Sequence, residues 1–300
     1  MININDSIIS VSGIATTVNC KTSKYFPSDV LKWMKTNAKP QMSLKLMQVC
    51  KYFQHEKFPY FVVKKFFAYY YDIIYTPLKG NDFDYLHERN EPQFFGYIPN
   101  NLWLVNYLSI TMYSEMNFIG RFIPKIAVCN VKTLEIEEQN LSIGEFKILA
   151  ETVKKLLFKS TAVFDENNEI ISLELFLGTL KNNIEQISIY SIIPSFSSTK
   201  ATNEIFLPNL KSLGFYCIPN TFNYEAMFEF LEDHKTVEFE LFFDDSLIFT
   251  QIQQLQVYVN NITSDRDLQY PPPYVTFTNQ TIESKDNMDK LRKSFYDKLT

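Results

Sequence analysis

Short apolar strings with a period of two recur along the last two thirds of the chain, and they limit its possible folds more than any other feature. The strings are YLSITMY, VKTLEIE, VKKLLFK, IEQISIY, LKSLGFY and VEFELFF. Their anchoring apolar residues are Leu108, Leu134, Leu156, Ile187, Leu213 and Phe239, at intervals of 26, 22, 31, 26 and 26 residues. Alternation of apolar and polar residues predicts strands with one buried face. The chain is therefore expected to repeat one strand-containing unit.

Segments with helical spacing lie between these strings. In residues 142–153, Phe146, Leu149 and Val153 fall at i, i+3 and i+7, and residues 224–234 show a similar spacing. A crossover helix between two strands returns the chain to the same end of the sheet, so the strands are expected to be parallel. The sequence predicts an α/β fold with a mostly parallel sheet.

The period and the alternation together resemble those of leucine-rich-repeat proteins, whose units of about 20–29 residues combine a strand with a return helix. The resemblance implies an irregular solenoid that binds other proteins through an extended surface. Residues 194–203 interrupt one unit, and the asparagine that follows the strand in the family's consensus is mostly absent. An irregular α/β domain with the same alternation is the alternative. Residues 274–277 predict a last strand, and residues 284–299 predict an amphipathic helix that caps the domain.

Helical periodicity also marks the segment from residue 25 to residue 71. Pro27 and Ser28 occupy positions typical of a helix start, and the residue before Pro40 is expected to end that helix. A second helix is predicted from residue 40 onward, and the apolar run at 60–71 predicts a third. We therefore expect a three-helix unit.

The string FPSDVLKWMKTNAKPQMSLKLMQVCKYF within this segment resembles an F-box, over about a tenth of the chain. The positions that match the family pattern in one register are Phe26, Pro27, Asp29, Val30, Leu31, Met34, Pro40, Leu46, Val49, Cys50, Lys51 and Phe53. An ordinary helical hairpin that caps the next domain is the alternative.

The F-box resemblance implies a partner and a role. F-box helices bind a small Skp-family adaptor, which connects them to a cullin–RING ubiquitin ligase, and the rest of the chain holds a protein substrate. On this basis the adaptor-binding residues are expected to be Phe26, Pro27, Val30, Leu31, Met34, Pro40, Leu46, Val49 and Cys50. Such a protein is not an enzyme, because it performs no chemistry and raises the effective concentration of its substrate.

A polar string at residues 76–93 with two prolines and a glycine is the best candidate boundary. The predicted organisation is a flexible N-terminal tail at 1–24, an F-box-like helical domain at 25–75, a linker at 76–98, and a leucine-rich-repeat-like α/β domain with a C-terminal cap helix at 99–300.

Charge and composition argue against several classes of partner. A formal net charge of −5 gives no basic excess for nucleic acid. No apolar run approaches the length of a membrane span, and the N-terminus lacks the pattern of a signal peptide. The four cysteines lie far apart, without metal-ligand spacing, so reduced thiols in a cytoplasmic or nuclear protein are expected.

The sequence carries no recognisable catalytic or phosphate-binding motif, and its three histidines are scattered. We therefore expect no cofactor and no metal. Three hypotheses remain: a substrate-recognition subunit of a ubiquitin ligase, a repeat-containing interaction module without a ligase partner, and a divergent enzyme with an unrecognised site. An exposed apolar face formed by Phe26, Leu31 and Leu46 would favour the first hypothesis over the second.

Overall fold

The fold is described from a computed structural model of the chain. The structure describes residues 27–53, 60–69, 72–78, 84–87, 94–111, 117–180, 182–264 and 269–298. The N-terminal tail predicted at 1–24 lies outside these residues.

Eight α-helices and thirteen strands occur in the described residues. The helices are α1 (Ser28–Asn37), α2 (Pro40–Val49), α3 (Phe118–Phe122), α4 (Ile143–Ala150), α5 (Leu173–Thr179), α6 (Tyr224–Asp233), α7 (Phe249–Ser264) and α8 (Ile282–Asp297). The strands are β1 (Phe61–Tyr69), β2 (Asp72–Pro77), β3 (Asp84–His87), β4 (Leu102–Thr111), β5 (Ile126–Cys129), β6 (Thr133–Glu137), β7 (Asn140–Ser142), β8 (Lys155–Lys159), β9 (Ala162–Phe164), β10 (Gln186–Tyr190), β11 (Ser212–Ile218), β12 (Glu238–Phe243) and β13 (Tyr274–Thr276).

One sheet of eleven strands dominates the described part of the chain, in the order β13-β12-β11-β10-β8-β6-β4-β1-β2-β3, with β5 also paired to β4. The strands from β1 and β4 through β13 are paired in parallel, and β2 and β3 are antiparallel additions at one edge. Strands β7 and β9 form a separate parallel pair. The predicted α/β class with a mostly parallel sheet is confirmed.

The six predicted anchor residues lie in one row across this sheet. The register pairs Leu108 with Leu134, Leu134 with Leu156, Leu156 with Ile187, Ile187 with Leu213, and Leu213 with Phe239. All six side chains are buried in the main core. Because side chains alternate along a strand, this row fixes which residues of each strand point inward and which point outward.

Helices α3 to α8 pack against the inward side of the sheet, where residues such as Phe146 on α4 and Phe176 on α5 stack 4.9 Å apart by ring centroids. Helix α4 begins with a capping box, in which Ser142 and Glu145 satisfy each other's backbone N–H groups. The predicted helices at 142–153 and 224–234 are present as α4 and α6. The predicted last strand and terminal helix are present as β13 and α8.

Four neighbouring strands in the middle of the sheet share a left-handed residue at or near their ends. Glu138, Ser160, Ser191 and Cys217 follow aligned positions on β6, β8, β10 and β11, and each has a positive φ, between 46° and 71°. The first three donate their backbone N–H to a carbonyl near the end of the next strand, at 2.9–3.0 Å, and the acceptors are Lys159, Tyr190 and Tyr216. Left-handed backbone is uncommon outside glycine, so its recurrence shows that one turn geometry is kept without the consensus asparagine.

The third helix predicted at 60–71 is wrong, because Phe61–Tyr69 forms strand β1. The strand is buried on both faces near its start, and a bulge between Val63 and Lys65 shifts its alternation. A run that lacks a period of two does not distinguish a buried strand from a helix. The predicted three-helix unit is therefore two helices, α1 and α2.

The predicted linker at 76–98 also contains sheet structure, because β3 pairs with β2 and β2 pairs with β1. Strand β1 in turn pairs with β4. The boundary predicted after residue 75 therefore falls within one continuous sheet.

We expect Leu213→Ala to lower the free energy of unfolding by about 2–5 kcal/mol, because the lost methyl groups leave a cavity between Ile187 and Phe239. Ser212→Ala, on the same strand and facing outward, should change it by no more than about 0.5 kcal/mol. Chemical denaturation of both variants measures the difference. If the two substitutions destabilise the protein equally, Leu213 does not belong to the inward row of buried residues.

Candidate functional site

The outward side of the sheet, here called the open face, is a surface on which binding side chains can be placed by the strand register. Its side chains are the outward residues of β4, β6, β8, β10, β11, β12 and β13. They are Tyr107, Ser109, Thr111, Thr133, Glu135, Glu137, Lys155, Leu157, Lys159, Gln186, Ser188, Tyr190, Ser212, Gly214, Tyr216, Glu238, Glu240, Phe242, Tyr274 and Thr276. Most of them are exposed or half-buried, whereas the alternate residues are buried. The open face therefore offers a flat array of side chains at the spacing of the strands.

Aromatic rings are stacked across the open face from β10 to β12, and a tilted ring follows on β13. The ring centroids of Tyr190 and Tyr216 lie 4.1 Å apart with an interplanar angle of 6°, and those of Tyr216 and Phe242 lie 5.1 Å apart. Tyr274 continues the series at 5.7 Å from Phe242. Tyr190, Tyr216 and Phe242 turn their ring faces toward one another, so this part of the open face presents ring edges and hydroxyl groups.

Gly214 lies directly beneath the Tyr216 ring. A Cβ atom at this glycine would lie 2.7 Å from Tyr216 Cε2 and 2.8 Å from the Tyr216 hydroxyl oxygen. The absence of a side chain lets the ring lean along β11 over residue 214, and the ring donates its hydroxyl hydrogen to Glu240 Oε2 at 2.6 Å. Burial and this hydrogen bond to a carboxylate raise the pKa of Tyr216, so the phenol stays protonated.

An arginine from α8 contacts two carboxylates at the same end of the open face. The Arg292 guanidinium donates to Glu238 and, at 3.2 Å, to Glu240 Oε1. It also lies 4.9 Å from the centroid of the Tyr274 ring and 6.0 Å from that of Tyr296. Two carboxylates spaced i, i+2 on one strand, with an aromatic neighbour, thus hold one guanidinium group.

The opposite end of the open face carries a second group of aromatic and acidic residues. Burial and a hydrogen bond with Glu135 raise the pKa of Tyr107, whose ring centroid lies 5.0 Å from that of Phe67. Thr111 donates to Glu137 Oε2 at 3.4 Å. Lys159 is the register partner of Glu137, yet it forms no ion pair within the described residues.

The predicted adaptor-binding residues divide between the surface and the interior. Pro27 and Val30 are exposed, Met34 and Leu46 are half-buried, and Leu31 and Cys50 are buried. Phe26 lies outside the described residues, as do the side chains of Pro40 and Val49. Phe26, Leu31 and Leu46 therefore do not form the single exposed face that would favour a ligase adaptor, because Leu31 points inward.

Leu31 is buried because α1 and α2 pack on the sheet instead of projecting from it. Together with Leu44 and Met47 it contacts Trp103 and Val62, which lie on β4 and β1 and point away from the main core. Trp103 is only 2% exposed. The hairpin thus covers the start of β1 and β4 on the side opposite the core, and the open face begins beside it.

Two exposed apolar residues of the hairpin were not singled out from the sequence. Trp33 is 65% exposed and Met42 is 51% exposed, whereas Val30 is 38% exposed. Trp33 lies three residues after Val30, so both are on one side of α1. The signal in the sequence was the tryptophan that follows Lys32, three residues after Val30.

The described residues also form cavities. One of about 530 Å³ lies between α6, α7 and the three prolines at 271–273, with Tyr258 and the Glu232–Lys235 ion pair among its lining. Within the described residues, no group of three or more histidine, cysteine or acidic side chains could hold a metal ion. Cys50, Cys129 and Cys217 are free thiols. None of the helices in those residues is long and apolar enough to cross a membrane.

A scan against protein-family models finds no match to the chain, and searches of the curated proteins and of the solved structures find none either. Its function is therefore inferred from its own residues and surfaces.

We expect Gly214→Ala to lower the free energy of unfolding by about 1–3 kcal/mol, since the new methyl group displaces the Tyr216 ring from its stack and from Glu240. In a Tyr216→Ser background the same substitution should cost no more than about 0.5 kcal/mol, because no ring remains to be displaced. Urea unfolding of the four proteins of this cycle measures the coupling. If Gly214→Ala lowers the free energy of unfolding equally in both backgrounds, the Tyr216 ring does not lie over residue 214.

Proposed function

We propose that the chain is a protein-binding adaptor whose open face binds a protein substrate, and that α1 and α2 connect it to a ubiquitin ligase of the Skp/cullin/F-box type. In this proposal the helices bind a Skp-family adaptor and, through it, a cullin. The sheet then holds the substrate near the site of ubiquitin transfer, in the cytoplasm or the nucleus. Raised effective concentration, not chemistry by this chain, accelerates the reaction.

The substrate-binding part of the proposal rests on the open face. Its strands follow one another in sequence order from β4 to β13, aside from β5, β7 and β9, and all are parallel. With the recurring left-handed turn, this order supports an irregular leucine-rich-repeat-like solenoid. Solenoids of this kind bind partners along an extended surface, and the open face supplies aromatic, acidic and basic side chains for such contacts.

The ligase part rests on α1, which carries the F-box resemblance. Val30 and Trp33 present apolar area to solvent on a helix whose other side is already buried against the sheet. Exposed tryptophan beside exposed valine is typical of a docking surface, because large aromatic residues dominate binding energy at interfaces.

A second candidate is a protein-interaction module without a ligase partner. It is favoured by one observation: Leu31 and Cys50, two of the F-box-like positions, pack with Trp103. In this case the apolar residues of α1 and α2 serve only to pack the two helices on the sheet. The open face remains the binding surface.

Exposed residues test the ligase part better than Leu31, whose truncation would also disturb the packing on Trp103. We expect Val30→Ser combined with Trp33→Ser to reduce recovery of the Skp-family adaptor by at least about tenfold, because truncating an interface tryptophan commonly costs about 2 kcal/mol or more. Both residues are exposed, so thermal stability should hardly change. Co-purification of the adaptor and a cullin from cell extract, with a thermal melt of each protein, measures both effects.

A matched control replaces two exposed apolar residues on the other side of the sheet, Ile148→Ser and Leu175→Ser, which are 46% and 45% exposed. Adaptor recovery should stay at the level of the unmodified chain. If the unmodified chain recovers no adaptor, or if the Val30/Trp33 variant recovers as much as the unmodified chain, the ligase part is wrong and the interaction module remains.

A further inference from the structure

We propose that Glu135 and Glu137 on the open face bind an arginine side chain of the protein substrate. This inference rests on the proposed role of the open face in substrate binding and names the chemistry of its partner. It does not depend on whether α1 and α2 bind a ligase adaptor.

The chain itself shows what a pair of carboxylates binds on this surface. Glu238 and Glu240 are outward residues spaced i, i+2 on β12, and Arg292 lies between them and the Tyr274 ring. The arginine is mostly buried, with 20% of its side chain exposed. A guanidinium group suits such a site because it donates in one plane to two acceptors while its face packs on a ring.

Glu135 and Glu137 repeat this arrangement on β6. They too are half-buried outward residues spaced i, i+2, and Glu135 lies in the same cross-strand row as Glu240. Tyr107 supplies the neighbouring aromatic ring and hydrogen-bonds to Glu135. The two carboxylates form no ion pair with any residue that the structure describes. The second site therefore has the acceptors and the ring, but no guanidinium from the residues that the structure describes.

The charges around the second site favour a cationic ligand without satisfying the carboxylates. Lys159, opposite Glu137 in the register, is the cation nearest along the row, and its single charge faces two carboxylates. Thr111 and Tyr107 donate one neutral hydrogen bond each. A calcium ion needs six to eight oxygen ligands, which two carboxylates on one flat strand do not supply. An arginine needs two acceptors and a ring, and both are present.

The test uses the full-length chain and a fluorescein-labelled Gly-Ser peptide with three spaced arginines. Companion peptides carry lysine or citrulline, the uncharged isostere of arginine, at the same positions. Fluorescence anisotropy measures the dissociation constant. We expect the arginine peptide to bind more tightly than the lysine peptide, the citrulline peptide to bind at least about tenfold more weakly, and added salt to weaken the binding.

Variants of the protein assign the binding to the site. Glu135→Gln with Glu137→Gln should weaken binding of the arginine peptide about tenfold. Lys159→Gln should strengthen it, because the competing cation is removed. The matched control, Glu166→Gln with Glu169→Gln, makes the same change of charge in an exposed loop and should leave binding unchanged. Peptide binding is expected to weaken in the Glu135/Glu137 variant and to strengthen in the neighbouring Lys159 variant. A loss of folding would weaken binding in both, so the two results distinguish a binding effect from unfolding.

Three results would overturn the proposal: equal binding of the arginine and citrulline peptides, equal loss in the control and site variants, or unchanged binding in the Glu135/Glu137 variant. The Val30→Ser and Trp33→Ser variant should bind the peptide normally. If that variant binds peptide while even the unmodified chain recovers no Skp-family adaptor, the ligase part of the proposed function fails and the arginine site stands.

Discussion

The row of inward apolar residues from Leu108 to Phe239 is the interaction on which the rest of the structure depends. Each member lies opposite the next in the hydrogen-bond register and is buried beneath the helices. Burial of each side chain contributes about 1.5–3 kcal/mol relative to exposure, and a slip of one residue would bring polar residues into the core. The register is therefore strongly fixed, and the outward residues of every strand are fixed with it.

Backbone hydrogen bonds at the ends of the strands keep this register from one unit to the next. At the strand starts, the carbonyl oxygens of Lys132, Lys154 and Glu185 each accept two N–H groups from the following unit, at 2.8–3.2 Å. The Glu185 carboxylate also pairs with Lys154 at 2.5 Å and with Lys211 at 2.7 Å. These contacts lower the pKa of Glu185 to about 2. At the other end, the left-handed residues repeat one turn. The hydrogen bonds at the strand starts and the turns at the strand ends keep the strands aligned, while the number of residues between strands can vary. This explains how strands at unequal intervals in the sequence form one regularly paired sheet.

The sequence was sufficient to predict the strands in which apolar and polar residues alternate. It was insufficient where a strand is buried on both faces or where distant segments of the chain contact each other. Strands β6, β8, β10, β11 and β12 have their predicted apolar residues buried on one face, so their alternation identifies them. Strand β1 is buried on both faces at its start and has a bulge, so its apolar run looked like a helix. The aromatic rings of the open face could be placed by register alone. The contact between Arg292 and Glu238 could not, because it depends on how α8 folds back along the sheet, more than fifty residues later.

The packing of α1 and α2 on Trp103 has a consequence for any function that joins two partners. Leu31, Leu44 and Met47 bury the hairpin on the same sheet whose outward residues form the open face. A hinge at this junction would have to break that apolar cluster, so the exposed side of α1 and the open face are held in one orientation. A protein bound at Glu135 would then face a partner bound at Trp33 at a fixed separation. Fixed separation raises effective concentration most when it matches the span of the assembly. The burial of Leu31 and Cys50 would then have a positive role, because it would make α1 and α2 a rigid extension of the sheet.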